Sequence, residues 1–312
     1  MAPHPGGRPA VPLLSGRGQP PGVARSRPAD GARRRPGARG GGLFLPGLFH
    51  PHGRRGQETL AMSRLAVVIA AYDEEENVEA LTRRLRRTLS GLAGWTWEIV
   101  YAVEGRDRTR EILERLAAEI GGVRILYQEE PAGIGNAFRR GFAALPDDVD
   151  FIVTMDADLN HQPEEIPRLL QAARRSGCDV LIGSRFLEAS RIEGTPLWKR
   201  FLSGTMNLLM RWLYGLRVRD KTSGFRIYRG EVLRSLEFES EAFAFLPEIL
   251  IRASAAGLVL AEEPIHFIFR REGRSKMGIR NTTASYIRLL RARFSRRSAS
   301  PRRPCTPARS GG

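Results

Sequence analysis

The sequence predicts an α/β protein: a Rossmann-like, mostly parallel sheet flanked by helices, in a single domain with disordered tails. Short β-rich runs that are almost continuously apolar alternate with helical segments, and continuous apolar runs are typical of strands covered on both faces. Strand and helix in alternation favour parallel strands joined by right-handed crossovers. Both ends are rich in Pro, Gly and Arg and lack periodicity, so they cannot bury enough apolar surface to fold.

The predicted elements follow one another along the middle of the chain. Strands are expected at 65–71, 97–103, 123–127, 150–155 and 179–183. Helices are expected between them, at 75–89, 109–120, 134–144 and 163–176. The first helix is assigned from apolar residues that share one face, namely Val78, Leu81, Leu85 and Leu89. A sheet of this kind binds its ligands beyond the carboxyl ends of the strands.

The charge of the chain lies at its ends. Residues 1–60 carry a net charge of +8 and residues 288–312 another +8, whereas residues 61–287 hold 32 basic and 32 acidic side chains. Because the middle is neutral, the fold itself is not expected to bind nucleic acid. Any such binding by the Arg-rich ends would vanish when those ends are removed.

The domain organisation follows from the same pattern. We expect a disordered extension at 1–61, a folded domain at 62–287 and a basic disordered tail at 288–312; the alternative is that the residues before Met62 are an upstream translation artefact. Cys178 and Cys305 lie far apart and indicate no disulfide framework, which fits a reducing cytosol. No run of about 18 apolar residues occurs, so no membrane-spanning helix is predicted.

Two aspartates, Asp156 and Asp158, directly follow the fourth predicted strand, in the stretch TMDADLNHQPEE. In an extended strand, residues i and i+2 point to the same side, so both carboxylates would project into the crevice. Such a pair favours a hard divalent cation, Mg²⁺ or Mn²⁺, which removes the repulsion and can hold diphosphate oxygens. The alternative is a solvated loop in which Asp caps the next helix. An Asp-x-Asp pair alone favours this alternative, because such pairs are common, and its place after a buried strand leaves both interpretations open.

The order of several segments resembles the family 2 GT-A glycosyltransferases, above all the dolichyl- or polyprenyl-phosphate mannosyltransferase (dolichol-phosphate mannose synthase-like) group. The resemblance covers roughly residues 65–280 and rests on VVIAAYDEEENVEAL, VEGRDRT, GIGNAFRRG, MDADLNHQPEEIPRLL, IGSRF, DKTSGFRIY, FLPEILIRA and RREGRSKMG. It implies a GT-A fold and a metal-dependent, inverting transfer of a hexose from a nucleotide sugar.

The resemblance implies that the first segment grips the nucleotide. Ala70, Tyr72 and Glu74 stand where the family reads P-x-Y-N-E, with Tyr72 packing on the base and Glu74 accepting its N–H donors. The alternative is that Asp73 and Glu76 cap the following helix and favour its dipole.

Two further segments are assigned to the nucleotide by the same resemblance. In VEGRDRT, Glu104 and Asp107 remain to serve the base or ribose, but Val103 replaces an acidic residue and the motif is shorter, which puts the base specificity in doubt. In GIGNAFRRG, Gly133 and Gly135 allow close backbone approach to the nucleotide; without the neighbouring segments, a plain loop-to-helix junction would be the preferred interpretation.

The reaction centre is likewise implied by resemblance. Asp156 and Asp158 match the metal-binding aspartates, and Asp156 also contacts the nucleotide. Asn160 stands where relatives frequently carry Gln, and it is counted with the metal site because it would help to orient the metal shell. Asp158, Arg185 and Asp220 are the expected catalytic residues, Asp220 near the sugar and acceptor. An ionised acceptor phosphate needs positioning but no strong general base.

The acceptor site is expected to combine basic side chains with an apolar groove, because a lipid phosphate is an anion at a membrane surface. Residues 193–216 offer this mixture and could lie in the membrane interface; the alternative is a core helix with a solvated basic face. By resemblance, the acceptor phosphate would be held by Arg185, Lys199, Arg200, Ser203, Arg270 and Lys276.

The sequence thus predicts an inverting hexosyltransferase, with GDP-mannose as the first expected donor and polyprenyl or dolichyl phosphate as the acceptor. Alternatives are a UDP-glucose-dependent enzyme, a family 2 transferase with a saccharide or protein acceptor, and a catalytically silent nucleotide-binding protein. The expected location is cytoplasmic, peripheral on the cytosolic face of the membrane, through its own surface or a membrane-anchoring partner.

Overall fold

The computed structural model describes residues 62–269, so both predicted tails lie outside the described residues. The strands are β1 (Ser63–Tyr72), β2 (Trp95–Glu104), β3 (Val123–Gln128), β4 (Phe151–Asp156), β5 (Val180–Ser184), β6 (Arg191–Glu193), β7 (Arg226–Arg229), β8 (Leu260–Pro264) and β9 (His266–Ile268). The helices are α1 (Val78–Ser90), α2 (Thr109–Ile120), α3 (Ile134–Ala143), α4 (Ile166–Ser176), α5 (Leu197–Tyr214), α6 (Gly230–Ser235) and α7 (Phe245–Ala255).

Seven strands form one sheet in the order β3-β2-β1-β4-β7-β5-β8, and β6 pairs with β9 beside it. The pairs of β1 with β2 and β4, of β2 with β3, and of β5 with β8 are parallel. Among the described strands of this sheet, only β7 runs antiparallel, between β4 and β5. The predicted mostly parallel sheet is therefore confirmed.

Helices cover both faces of this sheet, which explains the continuous apolar runs. Leu65, Val67 and Ile69 of β1 belong to one buried cluster together with residues of α1, α2 and α4. Ala66 and Val68 belong to a second cluster with residues of α3, α6 and α7. Successive side chains of β1 thus point alternately into the two clusters, as expected for a sheet buried on both sides.

The segment between β1 and α1 differs from the prediction. Helix α1 begins three residues later than expected, and its N-cap residue, Asn77, makes no side-chain capping bond. Asp73 has a φ of 49°, and its carboxylate accepts the backbone N–H of Arg106 at 3.0 Å. The interpretation of Asp73 as a cap of α1 is therefore wrong, because its carboxylate is directed to the loop after β2.

Helix α5 leaves one long face uncovered. Leu197 and Phe201 are each 78% exposed, and Trp212 is 79% exposed. Positions 197, 201, 208 and 212 recur at helical spacing on one side, so the alternative of an ordinary core helix at 193–216 is wrong. Over the described part of the chain, no helix combines the length and the apolarity that a bilayer crossing requires.

Candidate active site

The carboxyl ends of several strands meet at one edge of the sheet. Strand β1 ends at Tyr72, β2 at Glu104 and β4 at Asp156. In the register of the sheet, Tyr72 lies opposite Glu104, and Ala70 lies opposite Asp156. Residues assigned to the nucleotide and to the metal therefore share the edge where parallel sheets bind ligands.

The acidic pair is built by the end of β4 and the bend that follows it. Asp156 is the last residue of the strand, and Asp158 lies just beyond it. Leu159 turns the backbone with a φ of 60°. Asn160 donates its backbone N–H to Asp158 Oδ1 at 3.0 Å and its side-chain amide to Oδ2, so the predicted role of Asn160 includes orienting Asp158.

Electrostatics at this pair favour a cation. Burial raises the pKa of both carboxyls to about 6; Arg185 and Arg226 oppose the shift of Asp156, while the charge of Asp156 adds to the shift of Asp158. Within residues 62–269, neither carboxylate forms an ion pair with a Lys or Arg side chain. The pair therefore carries repulsion that a divalent ion would remove.

The donor set fits Mg²⁺ or Mn²⁺ when substrate completes the shell. No group of three or more His, Cys, Asp or Glu side chains is arranged to hold a metal ion in the described residues. Two carboxylates supply hard oxygen ligands but leave most of six coordination positions open. Such a pair suits an ion that takes its other ligands from diphosphate and water, and not a closed structural site.

A glycine that sequence reasoning missed makes room for Asp156. A Cβ atom added at Gly224 would lie 2.8 Å from Asp156 Oδ1, nearer than real side chains approach. The carbonyl oxygen of Gly224 also accepts the hydroxyl of Thr154 at 2.8 Å. Gly224 belongs to DKTSGFR, so its packing against the acidic pair follows from β7 lying beside β4.

The nucleotide loops after β1 and β2 are tied to each other. Asp107 accepts the backbone N–H groups of Glu75 and Thr109, each at 3.0 Å. Glu74 donates its backbone N–H to the Thr109 hydroxyl at 2.7 Å. Tyr72 is 41% exposed at this edge. The base contacts of Tyr72 and Glu74 stay predictions, and the structure shows that the loops carrying them are fixed together.

Glu104 is buried beneath the glycine-rich loop. Its carboxylate accepts the backbone N–H groups of Ala132 and Gly133 at 3.2 and 3.3 Å, and Arg140 at 3.0 Å. A Cβ at Gly135 would collide with the carbonyl oxygen of Ser240. The group that closely approaches Gly135 is thus the backbone carbonyl of Ser240. The nucleotide contacts of Glu104, Asp107 and Gly135 stay predictions.

On the other side of β4, an arginine is held by a buried carboxylate. Arg185 donates to Asp220 from Nε at 2.8 Å and from Nη2 at 2.9 Å, and to the Thr222 hydroxyl at 2.8 Å. Burial alone would raise the pKa of Asp220, but Arg185 outweighs it and lowers that pKa to about 2. Asp220 is fully buried, so it fixes Arg185, while its contact with sugar or acceptor stays a prediction.

Arg185 opens onto a cleft of about 480 Å³ lined by Arg185, Phe186, Leu187, Glu188, Ser190, Ile192, Arg200 and Arg219. Ser203 is linked to Arg185 through Thr222: the Ser203 hydroxyl lies 3.0 Å from the Thr222 hydroxyl, which accepts a hydrogen bond from Arg185. The structure thus brings Arg185, Arg200 and Ser203 together as predicted. Thr222 and Arg219 were missed, although both adjoin Asp220 in the sequence. The Lys199 side chain, Arg270 and Lys276 lie outside the described residues.

Two further buried side chains lie near Asp156: Arg226, which the resemblance of DKTSGFR had singled out, and His161, which sequence analysis missed. Arg226 is fully buried, donates to the carbonyl oxygens of Ser223, Lys221 and Leu246, and places a positive charge near Asp156. His161 is 1% exposed, and among residues 62–269 neither ring nitrogen finds a hydrogen-bond partner. No spacing signal in the sequence separates His161 from an ordinary core histidine.

Comparison with known proteins agrees with this geometry. Residues 66–236 match the family described as "Glycosyl transferase family 2". Undecaprenyl-phosphate mannosyltransferase of Micrococcus luteus is 33% identical, over 69% of this chain and 87% of its own length. Polyprenol monophosphomannose synthase of Mycolicibacterium smegmatis is 32% identical, over 75% and 89%. Dolichol-phosphate mannosyltransferase of Pyrococcus furiosus is 35% identical, but the match spans 59% of its length.

Solved structures share the fold. Glucosyl-3-phosphoglycerate synthase from Mycobacterium tuberculosis, crystallised with Mn²⁺, uridine diphosphate and phosphoglyceric acid, aligns with a TM-score of 0.55 at 20% identity, over 76% of this chain and 80% of that one. This likeness confirms the predicted GT-A fold. By the match of its sequence over most of the folded region, the chain belongs to glycosyl transferase family 2, and it is a glycosyltransferase.

Proposed function

We propose that this glycosyltransferase moves mannose from a nucleotide sugar, GDP-mannose in the first instance, to a polyprenyl or dolichyl phosphate. The names of the three similar relatives support this substrate pair. The observation that carries the proposal is the pairing of two sites at one sheet edge. The acidic pair Asp156 and Asp158 suits a cation–diphosphate group, and Arg185 with its cleft suits a second phosphate.

Each side of the site has a separate task. Asp156 and Asp158 would hold Mg²⁺ or Mn²⁺, which stabilises the leaving diphosphate as the sugar C1–O bond breaks. Asp220 keeps Arg185 in place to bind the acceptor phosphate. A phosphate oxygen attacks C1 from the face opposite the leaving group and inverts the anomeric centre. Because that oxygen is already ionised, the chain has only to position it.

The exposed face of α5 supports an acceptor presented by a membrane. Phe201 and Trp212 are exposed on this face. On the same helix, Ser203 contacts Thr222, which accepts a hydrogen bond from Arg185. A helix with an aromatic and aliphatic outer face lies in the lipid interface. It would bring the phosphate of a membrane lipid to the cleft, on the cytosolic face, with or without a separate anchoring partner.

UDP-glucose is the competing donor. Val103 stands where the family has an acidic residue, and its side chain is buried in the core, so it offers no hydrogen bond to a base. A saccharide or protein acceptor and a catalytically silent protein are the remaining alternatives. The acidic pair and the Arg185–Asp220 pair argue against the silent protein.

The proposal is tested by giving the purified chain radiolabelled GDP-mannose or UDP-glucose together with polyprenyl phosphate and Mn²⁺. We expect label to move from GDP-mannose into the organic phase, at least about 100-fold less with Asp158→Ala. Asp148→Ala is the matched control, because Asp148 is a solvent-exposed acid paired with Arg64. Label from UDP-glucose alone would reassign the donor. No lipid product from either donor would contradict the proposal.

A further inference from the structure

His161 is a buried side chain whose polar atoms are unsatisfied. It is 1% exposed, and both ring nitrogens are buried without a hydrogen-bond partner. Leaving a buried polar atom unpaired costs about 1–3 kcal/mol, so a satisfied core histidine does not explain this residue. An unsatisfied buried group beside a candidate reaction centre needs a specific explanation, such as a partner that comes within hydrogen-bond distance when the ligands bind.

A carboxylate close to the ring offers such a partner. His161 Nδ1 lies 3.6 Å from Asp156 Oδ2, slightly beyond the usual range of an N–H···O bond, and a movement of less than about 1 Å would close it. The opposite oxygen, Asp156 Oδ1, lies against Gly224, where even a Cβ would be 2.8 Å away. The Asp156 carboxylate is thus confined between an imidazole and a glycine.

The imidazole itself is held rigidly. Its ring packs against Phe225 with centroids 5.2 Å apart and against Phe267 at 5.4 Å. A backbone bridge joins His161 to Phe267 as well. The ring therefore cannot turn toward another acceptor without repacking two phenylalanines, and its nitrogens are closed to water.

We propose that His161 is a positioning residue for the divalent cation: its Nδ1–H donates to Asp156 Oδ2 and turns the carboxylate toward the ion. The inference rests on the proposed cation site at Asp156 and Asp158.

A neutral donor suits this task better than a charged one. An imidazole can donate its Nδ1–H in the uncharged form, and it then adds no positive charge beside the cation. A lysine or arginine at the same place would orient Asp156 but would also neutralise it and repel the ion. Donors that orient a ligating carboxylate typically change metal affinity by about 10- to 100-fold.

The test measures Mn²⁺ binding by the loss of the free-ion EPR signal, with GDP or UDP present, together with the melting temperature. His161→Phe fills the space between the two phenylalanines but lacks a donor, so we expect the Mn²⁺ dissociation constant to rise at least about 10-fold without a lower melting temperature. His161→Asn places an amide N–H near the position of Nδ1 and should stay within about 3-fold of wild type. His266→Asn is the matched control, because His266 lies in β9 and pairs with Glu193.

The outcomes separate this inference from the proposed function. An unchanged dissociation constant in His161→Phe overturns the inference and leaves the cation site intact. Equal weakening in His161→Phe and His161→Asn also overturns it, because the Nδ1 donor would then not matter. If the wild-type chain binds no Mn²⁺ with either nucleotide, the cation site itself is contradicted, and the inference with it.

Discussion

At the scale of single residues, the site contains buried carboxylates whose pKa values are shifted in opposite directions. Asp220 is buried, yet two hydrogen bonds from Arg185 keep it charged. Asp156 and Asp158 lack such a partner in the described residues, and burial raises the pKa of both. A buried carboxylate stays ionised when a cation is supplied. The protein supplies the cation to Asp220, and the acidic pair needs one from solution.

The first prediction concerns stability and pH. The pKa of Asp156 and of Asp158 is about 6 in the folded chain and about 4 in an unfolded chain. The folded state therefore binds more protons between these values, so the free energy of unfolding falls as pH rises from about 4 to about 6. Between pH 5 and pH 7 we expect a fall on the order of 1 kcal/mol per carboxyl, measured by urea unfolding in a chelator. The double variant Asp156→Asn/Asp158→Asn should lack this fall; the same fall in that variant would contradict the pKa assignment.

The second prediction concerns the Arg185–Asp220 pair. Asp220→Asn leaves the Arg185 charge uncompensated, so we expect a loss of about 3–5 kcal/mol in the free energy of unfolding. Replacing both members, in Arg185→Leu/Asp220→Leu, should recover most of that stability, because two apolar groups need no partner. Transfer to lipid should stay at least about 100-fold below wild type in both variants. Recovery of transfer in the double variant would show that Arg185 does not hold the acceptor phosphate.

At the scale of elements, the sequence predicts the strands and helices that have a clear hydrophobic pattern, and it does not predict contacts that depend on tertiary packing. Strands β1 to β5 fall within two residues of their predicted bounds. Continuous apolar runs that alternate with helices are compatible with few structures other than buried strands. Strand β7 was not predicted, since it has four residues with an arginine at each end. The acidic pair was predicted from its place behind β4, but Gly224 and His161 were not. Gly224 meets Asp156 because β7 pairs with β4, and His161, although it lies five residues after Asp156, is placed by its backbone bridge to the distant Phe267.

The third prediction follows from the packing of β7 against β4. Gly224→Ala adds a Cβ at 2.8 Å from Asp156 Oδ1, so the carboxylate must turn away. We expect Mn²⁺ affinity to fall at least about 10-fold while far-UV circular dichroism stays unchanged. Gly177→Ala is a useful comparison, because Gly177 meets no atom within 4 Å, and any loss there reports backbone strain alone. Equal Mn²⁺ affinity in Gly224→Ala and wild type would contradict this account.

The fourth prediction tests the outer face of α5. Replacing Phe201 and Trp212 by serine removes two side chains that are 78% and 79% exposed, so the fold should lose little stability. Partition to polyprenyl-phosphate vesicles should fall at least about 10-fold, because the interface no longer receives two aromatic rings. Val259→Ser is the control, as Val259 is 55% exposed outside α5. A similar loss in the control would mean that the effect is not specific to this helix.

At the scale of the whole molecule, the proposed membrane attachment would combine two physically different attractions. The apolar face of α5 would act through burial of hydrocarbon, which salt does not screen. Residues 1–60 and 288–312 each carry a net charge of +8, while the segment between them is neutral. Basic segments are attracted to anionic lipid by a force that falls off within a Debye length. The two contributions can therefore be separated by ionic strength.

The last prediction uses that difference. A chain restricted to residues 62–287 keeps the described fold but loses both basic segments, so its binding to vesicles rich in anionic lipid should be weaker at least about 10-fold at 0.15 M salt. Raising salt to about 0.5 M should weaken the full chain to the level of the shortened one and change the shortened chain little, because only the tail contribution is screened. The Phe201→Ser/Trp212→Ser variant should bind more weakly than the unsubstituted chain at both salt concentrations, and at 0.15 M salt it should keep the contribution of the basic ends. If the shortened chain instead binds as tightly as the full chain at low salt, the Arg-rich ends have no part in attachment, and α5 alone must account for it.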